Sequence, residues 1–158
     1  MKTNAVRSLD TLGIKYELLS YKVDPNDILA TATAKKLSLP ADQVFKTLVV
    51  KGNRKGVALA VLPASFQLDL KALAKLSGDR SVETVALKQV QPLTGYIRGG
   101  VTALACKKPY PVFLDEWVHV YDHIAVSAGL RGQMILLSGT DYIAATQATV
   151  GAISRETH

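Results

Sequence analysis

The sequence predicts an α+β protein built on a mixed, partly antiparallel β-sheet. Segments with strand and helix patterns intermix along the 158 residues, without the regular strand–helix–strand alternation of a parallel α/β fold. Two apolar segments, residues 44–50 and 57–63, flank a glycine-bounded turn, which is typical of an antiparallel hairpin. No repeat, charge block or low-complexity linker divides the chain, so we expect one domain over residues 1–158.

The first part of the chain predicts a helix, a strand and a second helix. Residues 4–12 carry apolar side chains at helical spacing, and we expect Gly13 to end this helix. Residues 15–23 alternate in polarity and predict a strand. The turn-forming cluster at residues 24–27 separates this strand from a predicted helix over residues 28–37.

The middle of the chain predicts the hairpin and a helix. Residues 44–50, "VFKTLVV", are β-branched and mostly apolar, as in a buried strand. The turn "GNRKG" leads to the return strand "VALAVLP" over residues 57–63. Residues 68–76 predict a helix, with Asp69 near its start.

The rest of the chain predicts four more strands and two more helices. A short strand over residues 82–86 precedes a short helix over residues 87–93. The later elements follow a glycine-containing segment. They are strands over residues 111–115, 123–129 and 133–138, and a helix over residues 141–146.

Composition restricts the class of protein and its surroundings. With 48% hydrophobic and 20% charged residues, the chain resembles packed globular proteins rather than disordered ones. It has no apolar run of the roughly 20 residues that cross a bilayer, and its first residues lack the apolar stretch of a signal peptide. We therefore expect a cytoplasmic protein with no membrane partner. The net charge of +6 fits either a nucleic-acid partner or ordinary solubility.

Three segments are candidates for binding or catalysis. Lys46 interrupts an apolar strand, so its ammonium either reaches water at the strand end or holds a phosphate or carbonyl in a cleft. Gly95, Gly99 and Gly100 could present free N–H groups to an anion or could form a surface turn, and they match no nucleotide-binding glycine motif. The segment "SAGLRG" over residues 127–132 is either a hairpin turn or a loop of the same cleft.

Cysteine and histidine offer weaker alternatives. Cys106, the single cysteine, is either a nucleophile or a small buried hydrophobe, and it has no histidine near it in sequence. His119 and His123 would face a metal together on a helix. In an extended segment they would stand about 13 Å apart, too far for one ion. We expect no metal site.

Five motifs in order resemble the YbaK/EbsC family. They are "DQVFKTLVV", "QLDLKALAKLSG", "TGYIRGGV", "KKPYPVFLDE" and "VSAGLRGQMILLS", and the resemblance runs from about Ala5 to Thr146. It implies a mixed, largely antiparallel β-sheet closed towards a barrel, with flanking helices. It also implies an aminoacyl-tRNA deacylase without a cofactor. Cys-tRNA(Pro) is the first expected substrate and Ala-tRNA(Pro) the second, with prolyl-tRNA synthetase as a candidate partner.

The resemblance also implies roles for individual residues. Lys46, Gly99 and Gly100 are expected to be catalytic, with the lysine holding the aminoacylated tRNA end and the glycine N–H groups polarising the ester carbonyl. No protein nucleophile is required, because the thiol of a substrate cysteine or a positioned water can attack. The expected substrate-binding residues are Tyr21, Leu29 (or its neighbour Ile28), Thr47, Thr102, Ser127 and Asp141.

One segment departs from the family pattern. The family places G-G-x-S-P-x-G here, whereas this chain has Thr102-Ala103-Leu104-Ala105 after its two glycines. This departure bears on which amino acid is cleared. It also leaves a tRNA- or nucleotide-binding protein without turnover as an alternative. Independently of this departure, a metal-dependent hydrolase with His119 and His123 is a third alternative.

Overall fold

The computed structural model describes residues 2–157, which form five α-helices and ten β-strands. The helices are α1 (Asn4–Thr11), α2 (Ala30–Lys36), α3 (Leu70–Ser77), α4 (Leu87–Thr94) and α5 (Gly139–Thr146). The strands are β1 (Glu17–Ser20), β2 (Phe45–Gly52), β3 (Gly56–Pro63), β4 (Phe66–Leu68), β5 (Val82–Thr84), β6 (Val112–Asp115), β7 (His123–Ser127), β8 (Gln133–Ser138), β9 (Thr149–Gly151) and β10 (Ser154–Glu156).

The strands form three sheets, and the largest is mixed, as the sequence predicts for the β-sheet. The largest has the order β5-β2-β3-β6-β9, in which the β3–β6 and β6–β9 pairs are parallel. A second sheet has the antiparallel order β1-β8-β7, and β4 pairs with β10. The predicted hairpin is β2–β3, with Gly52 opposite Gly56 at the turn. The α+β class is therefore confirmed.

The two larger sheets join at the start of β2. Val44 forms a parallel bridge with Ala125 of β7, and the Ala125 N–H donates to the Gln43 carbonyl at 3.1 Å. Beyond this bridge, β7 and β2 separate. Closure of the sheet towards a barrel is therefore partial, and an opening remains beside β2.

Local signals fix most element ends. The Thr3 hydroxyl caps α1, and Gly13 follows the helix at φ 69°. The Asp69 carboxylate accepts from the Ala72 N–H and so begins α3. Residues 116–119, where the sequence indicated partly extended chain, form a 3₁₀ turn capped by Asp115.

The core consists of three packed clusters. The largest lies between β2, β3, β6, β7 and β8 and the helices α1 and α5, and the fully buried Tyr142 belongs to it. A second cluster lies on the α3 side of the large sheet, and a third lies under α2. No helix within residues 2–157 has the length and apolar character needed to cross a bilayer.

Candidate functional site

A pocket of about 580 Å³ occupies the opening beside β2. The bridge at Val44 ties β2 to β7, and pairing of β2 with β5 begins at Val50, so the pocket lies between these two attachments. The residues that line it are Tyr21, Ile28, Leu29, Ala30, Thr33, Phe45, Lys46, Thr47, Leu48, Val49, Thr84, Val85, Leu87, Val90, Arg98, Gly99, Val101, Ser127 and Met134.

Six of the nine predicted site residues line this pocket. They come from five separate segments of the chain: Tyr21, Leu29, Lys46 with Thr47, Gly99 and Ser127. Ile28, the alternative to Leu29, lines it as well. Long-range pairing of β1 with β8 and of β8 with β7 brings these segments together.

Lys46 is the second residue of β2 and lies within the sheet. Its Nζ atom donates to the carbonyl oxygens of Ala64 at 3.1 Å and Phe66 at 2.8 Å, where the turn after β3 leads into β4. Burial lowers the pKa of the Lys46 ammonium below the usual 10.5. An ammonium has three donors, so one remains for a molecule in the pocket.

Of the two adjacent glycines, Gly99 is the one on the pocket wall. Its φ of 86° lies in the left-handed region, which a residue without a Cβ adopts at little cost. Gly100 is buried, and its N–H donates to the Ile97 carbonyl at 2.9 Å. In this conformation the Gly100 N–H is thus not available to polarise an ester carbonyl.

The segment "SAGLRG" over residues 127–132 forms hydrogen bonds to the backbone of the glycine segment. The Ser127 hydroxyl donates to the Gly100 carbonyl at 3.0 Å and accepts from the Gly129 N–H at 3.1 Å. The Nε atom of Arg131 donates to the Arg98 carbonyl at 2.8 Å. A Cβ on Gly100 would meet the Leu130 Cα at 3.0 Å, so the two loops pack backbone against backbone.

Gly100, Thr102 and Asp141 lie outside the pocket lining. Thr102 is fully buried, and its carbonyl accepts from the Cys106 Sγ at 3.1 Å, so it fixes the loop after the glycines. Asp141 lies in the first turn of α5, which follows the Ser138 end of β8, whereas the pocket contacts Met134 near the other end of that strand. Any effect of these residues on the pocket passes through the residues that they hold.

The alternative sites do not assemble. Cys106 is half-buried, and burial raises the pKa of its thiol to about 11, which keeps it protonated at neutral pH. His119 and His123 are exposed. Within the described chain, no three His, Cys, Asp or Glu side chains cluster as metal ligands.

The charged side chains of the lining are both cationic. Lys46 and Arg98 line the pocket together with mostly apolar residues, and no Asp or Glu is among the lining residues. This lining suits a ligand with an anionic or carbonyl-bearing part and an apolar part. Sequence reasoning missed Arg98, Val101, Val90 and Met134. Arg98 adjoins the glycines in sequence, but the others carry no signal beyond hydrophobicity.

Comparison with known proteins assigns this chain to a family. Residues 27–145 match the family described as the aminoacyl-tRNA editing domain. The chain belongs to the aminoacyl-tRNA editing family. The resemblance of its motifs to YbaK and EbsC proteins is thereby confirmed, together with an aminoacyl-tRNA as the class of substrate.

Two relatives are similar to this chain in sequence. EbsC of Enterococcus faecalis is 40% identical over 137 residues, which cover 87% of this chain and 84% of EbsC. Its name assigns it, by inference, to deacylation of Cys-tRNA(Pro) and Cys-tRNA(Cys). ProXp-y of Escherichia coli K12, named a multifunctional Ser/Thr-tRNA deacylase, is 29% identical over 109 residues, covering 66% of this chain and 65% of ProXp-y.

Solved structures share the fold of this editing protein. The protein APE2540 superposes with a TM-score of 0.88 at 23% identity, covering 97% of this chain and all of the other. A protein described as a trans-editing enzyme for prolyl-tRNA synthetase gives a TM-score of 0.84 at 24% identity, covering 98% of this chain and 99% of the other.

Proposed function

We propose that this protein is a free-standing deacylase that clears Cys-tRNA(Pro), with Ala-tRNA(Pro) as the second substrate. The observation that carries the proposal is the convergence of Lys46, Gly99 and Ser127 on one pocket. The pocket has an apolar wall and cationic groups but no carboxylate in its lining. The name and 40% identity of EbsC support cysteine as the amino acid.

The pocket can promote hydrolysis by placement and polarisation. Lys46 has one donor left, and no described residue accepts a hydrogen bond from the Gly99 N–H. Both can donate to the ester carbonyl as negative charge develops on its oxygen, and one such donor is typically worth about 10²–10³ in rate. Attack by water breaks the bond from the carbonyl carbon to the ribose oxygen, which releases the amino acid and the tRNA hydroxyl.

A cysteinyl ester has its own nucleophile. The substrate sulfur attacks the ester carbonyl, a carbon–sulfur bond forms, and the ribose oxygen leaves with the thiol proton. Water then opens the resulting cyclic thioester to free cysteine. This route needs no protein thiol, and Cys106, the single cysteine, lies outside the lining and has a raised pKa.

A second candidate is a protein that binds the tRNA end without turnover. It is favoured by the hydrogen bond from the Gly100 N–H to Ile97, which removes one of the two expected oxyanion donors. Binding of tRNA or adenosine without loss of the ester would support it. A synthetase partner is a further part of the proposal, and co-purification with prolyl-tRNA synthetase and tRNA(Pro) tests it.

The test of activity is a panel of purified mischarged tRNAs. Cys-tRNA(Pro), Ala-tRNA(Pro), Ser-tRNA and Thr-tRNA are incubated with the protein, and the remaining ester is measured over time. The proposal expects fastest loss of Cys-tRNA(Pro). Intact esters across the whole panel would exclude a deacylase. Faster loss of Ser-tRNA or Thr-tRNA would indicate the substrate specificity for which ProXp-y is named.

A further inference from the structure

The pocket borders a stretch of β2 that lacks a neighbouring strand on one side. Along this edge, β7 contacts β2 at Val44, and the Val85 N–H beside β5 donates to the Val49 carbonyl at 3.1 Å. Between Val44 and Val49 the edge runs for about 17 Å, at the usual rise of a strand. Ser127 of β7 lies on one side of the gap and Thr84 of β5 on the other, and both line the pocket.

The register of the hairpin shows which backbone groups face this gap. Val49 lies opposite Leu59, yet the Val49 carbonyl binds Val85 and the Leu59 N–H donates to the Pro111 carbonyl at 2.9 Å. The backbone N–H and C=O groups of Val49 and Leu59 therefore point away from each other, and the two residues form a non-hydrogen-bonded pair. Such pairs alternate along an antiparallel ladder. Thr47, two residues earlier and opposite Val61, must then point its N–H and its C=O into the gap.

Pro63 gives an independent check on this alternation. It lies opposite Phe45, at a position that the same pattern makes non-hydrogen-bonded, and proline has no N–H to donate. The next pair, Val44 with Ala64, is hydrogen-bonded as the alternation requires, since the Ala64 N–H donates to the Val44 carbonyl at 2.7 Å. Thr47 thus presents an unpaired donor and acceptor at the centre of the gap.

We propose that the Thr47 backbone binds the aminoacyl group as a missing strand would, its C=O accepting from the substrate α-ammonium and its N–H donating to the ester carbonyl. The inference rests on the proposed function and deepens it. An aminoacyl ester carries an amine and a carbonyl spaced as in a peptide, so it can add to a strand edge by main-chain hydrogen bonds.

The composition of the lining makes the backbone carbonyl important. An α-ammonium needs an acceptor when it leaves water, and the charged lining residues, Lys46 and Arg98, are both cations. The Thr47 C=O can satisfy it without a carboxylate. Recognition through the backbone also leaves the amino-acid side chain to be selected separately, by apolar residues such as Val101 and Met134.

This arrangement selects for a free amine. Acylation of the amine removes its charge and adds bulk where the substrate meets β2. The protein would therefore act on aminoacyl-tRNA and spare a tRNA that carries an N-acylated amino acid or a peptide.

Binding of two stable analogues tests the inference without requiring turnover. In both, an amide replaces the ester between cysteine and the 3′ position of adenosine; one has a free α-amine and the other is N-acetylated. We expect the free-amine analogue to bind about tenfold more tightly or better, the value of a hydrogen bond to a charged group. Equal dissociation constants for the two would overturn the proposal.

Backbone ester substitution tests the two Thr47 groups separately. Thr47→its α-hydroxy acid analogue removes the N–H that faces the gap. Leu48→its α-hydroxy acid analogue turns the Thr47–Leu48 amide into an ester, which makes the Thr47 carbonyl a weaker acceptor. It also removes the Leu48 N–H and with it one hydrogen bond between β2 and β3. Ala58→lactic acid, outside the pocket lining, is the matched control, since it removes a bond of the same ladder opposite Val50.

We expect the first two variants to lose about tenfold in affinity for the free-amine analogue and the Ala58 variant to keep it. Thermal unfolding shows whether all three fold alike. Unchanged affinity in the Thr47 and Leu48 variants would overturn the inference. Selective binding without deacylation of any mischarged tRNA would instead reject the proposed activity and leave the inference standing.

Discussion

The Nζ atom of Lys46 lies 2.8 Å from the carbonyl oxygen of Phe66, so the amine joins the pocket to the start of β4. The same amine also holds the Ala64 carbonyl. In the proposed mechanism, Lys46 therefore has a structural and a chemical role at once. The Lys46 ammonium is held by two main-chain carbonyl oxygens, and no other side chain in the described region donates a hydrogen bond to either of them.

Lys46→Met should therefore affect both activity and stability. Loss of the amine leaves two carbonyls without their donor, which costs about 1–3 kcal/mol of unfolding free energy, and deacylation should fall by about 10² or more. Denaturant unfolding and ester loss from Cys-tRNA(Pro) measure the two effects. Lys51→Met, an exposed position on the same strand, is the control. A Lys46→Met protein with full activity would remove the lysine from the mechanism.

The lowered pKa of Lys46 predicts an early alkaline limit of activity. Because burial disfavours the charged form, the ammonium loses its proton below the usual 10.5. The kcat/KM profile should then decline at a lower pH than an exposed lysine would give, since the proposed mechanism uses the charged form. Lys46→Arg, which stays protonated, should remove this decline even if its rate is lower. A decline that persists in the Arg variant would assign it to another group.

Gly99→Ala should reduce activity more than backbone strain alone explains. The substitution places a Cβ at φ 86° and 3.0 Å from the Arg131 Nε. Gly13→Ala is a matched control, because Gly13 has φ 69° and no atom within 4 Å of the added Cβ. Both should lose about 1 kcal/mol of stability, whereas only Gly99→Ala should slow deacylation. Equal activity in the two variants would place the glycine segment outside the site.

Cys106 predicts a loss of stability at alkaline pH. The thiol pKa is raised to about 11 in the folded protein, compared with about 8.5 in an unfolded chain. The unfolded state therefore binds fewer protons between these values. The Cys106 contribution is complete below about pH 8.5 and falls as the pH rises towards 11.

Thermal unfolding of the native protein and of Cys106→Ser at pH 8 and pH 10.5 measures this contribution. The difference between the two proteins should shrink at the higher pH. Iodoacetamide should alkylate the native thiol slowly at pH 8, and rapid modification there would contradict the raised pKa.

The sequence predicted those parts of the fold that depend on neighbours in the chain. The β2–β3 hairpin was predictable because its turn and both strands are contiguous, and α3 because Asp69 caps it locally. Strands β4, β9 and β10 were missed, since each has three residues and depends on a distant partner, whereas the equally short β5 was predicted from the longer segment 82–86. Three residues are too few to establish a periodic pattern.

The motifs predicted the site in part, because Gly100 lies in a motif but outside the lining, whereas Tyr21 and Leu29 line the pocket and lie in none of the motifs. Lys46 and Gly99 carry the family resemblance and line the pocket, whereas Thr102 and Asp141 were assigned by order along the chain and lie outside its lining. The gap beside Thr47 carries no sequence signal. It exists because β7 leaves β2 after Val44 and β5 joins at Val50, and neither event is local.

The pairing of β1 with β8 has a consequence for synthesis on the ribosome. Glu17 lies opposite Leu136, so more than a hundred residues must be synthesised after β1 before its pairing partner β8 exists. Met134 of β8 is also part of the pocket wall. An emerging nascent chain therefore has no complete pocket until translation has passed β8.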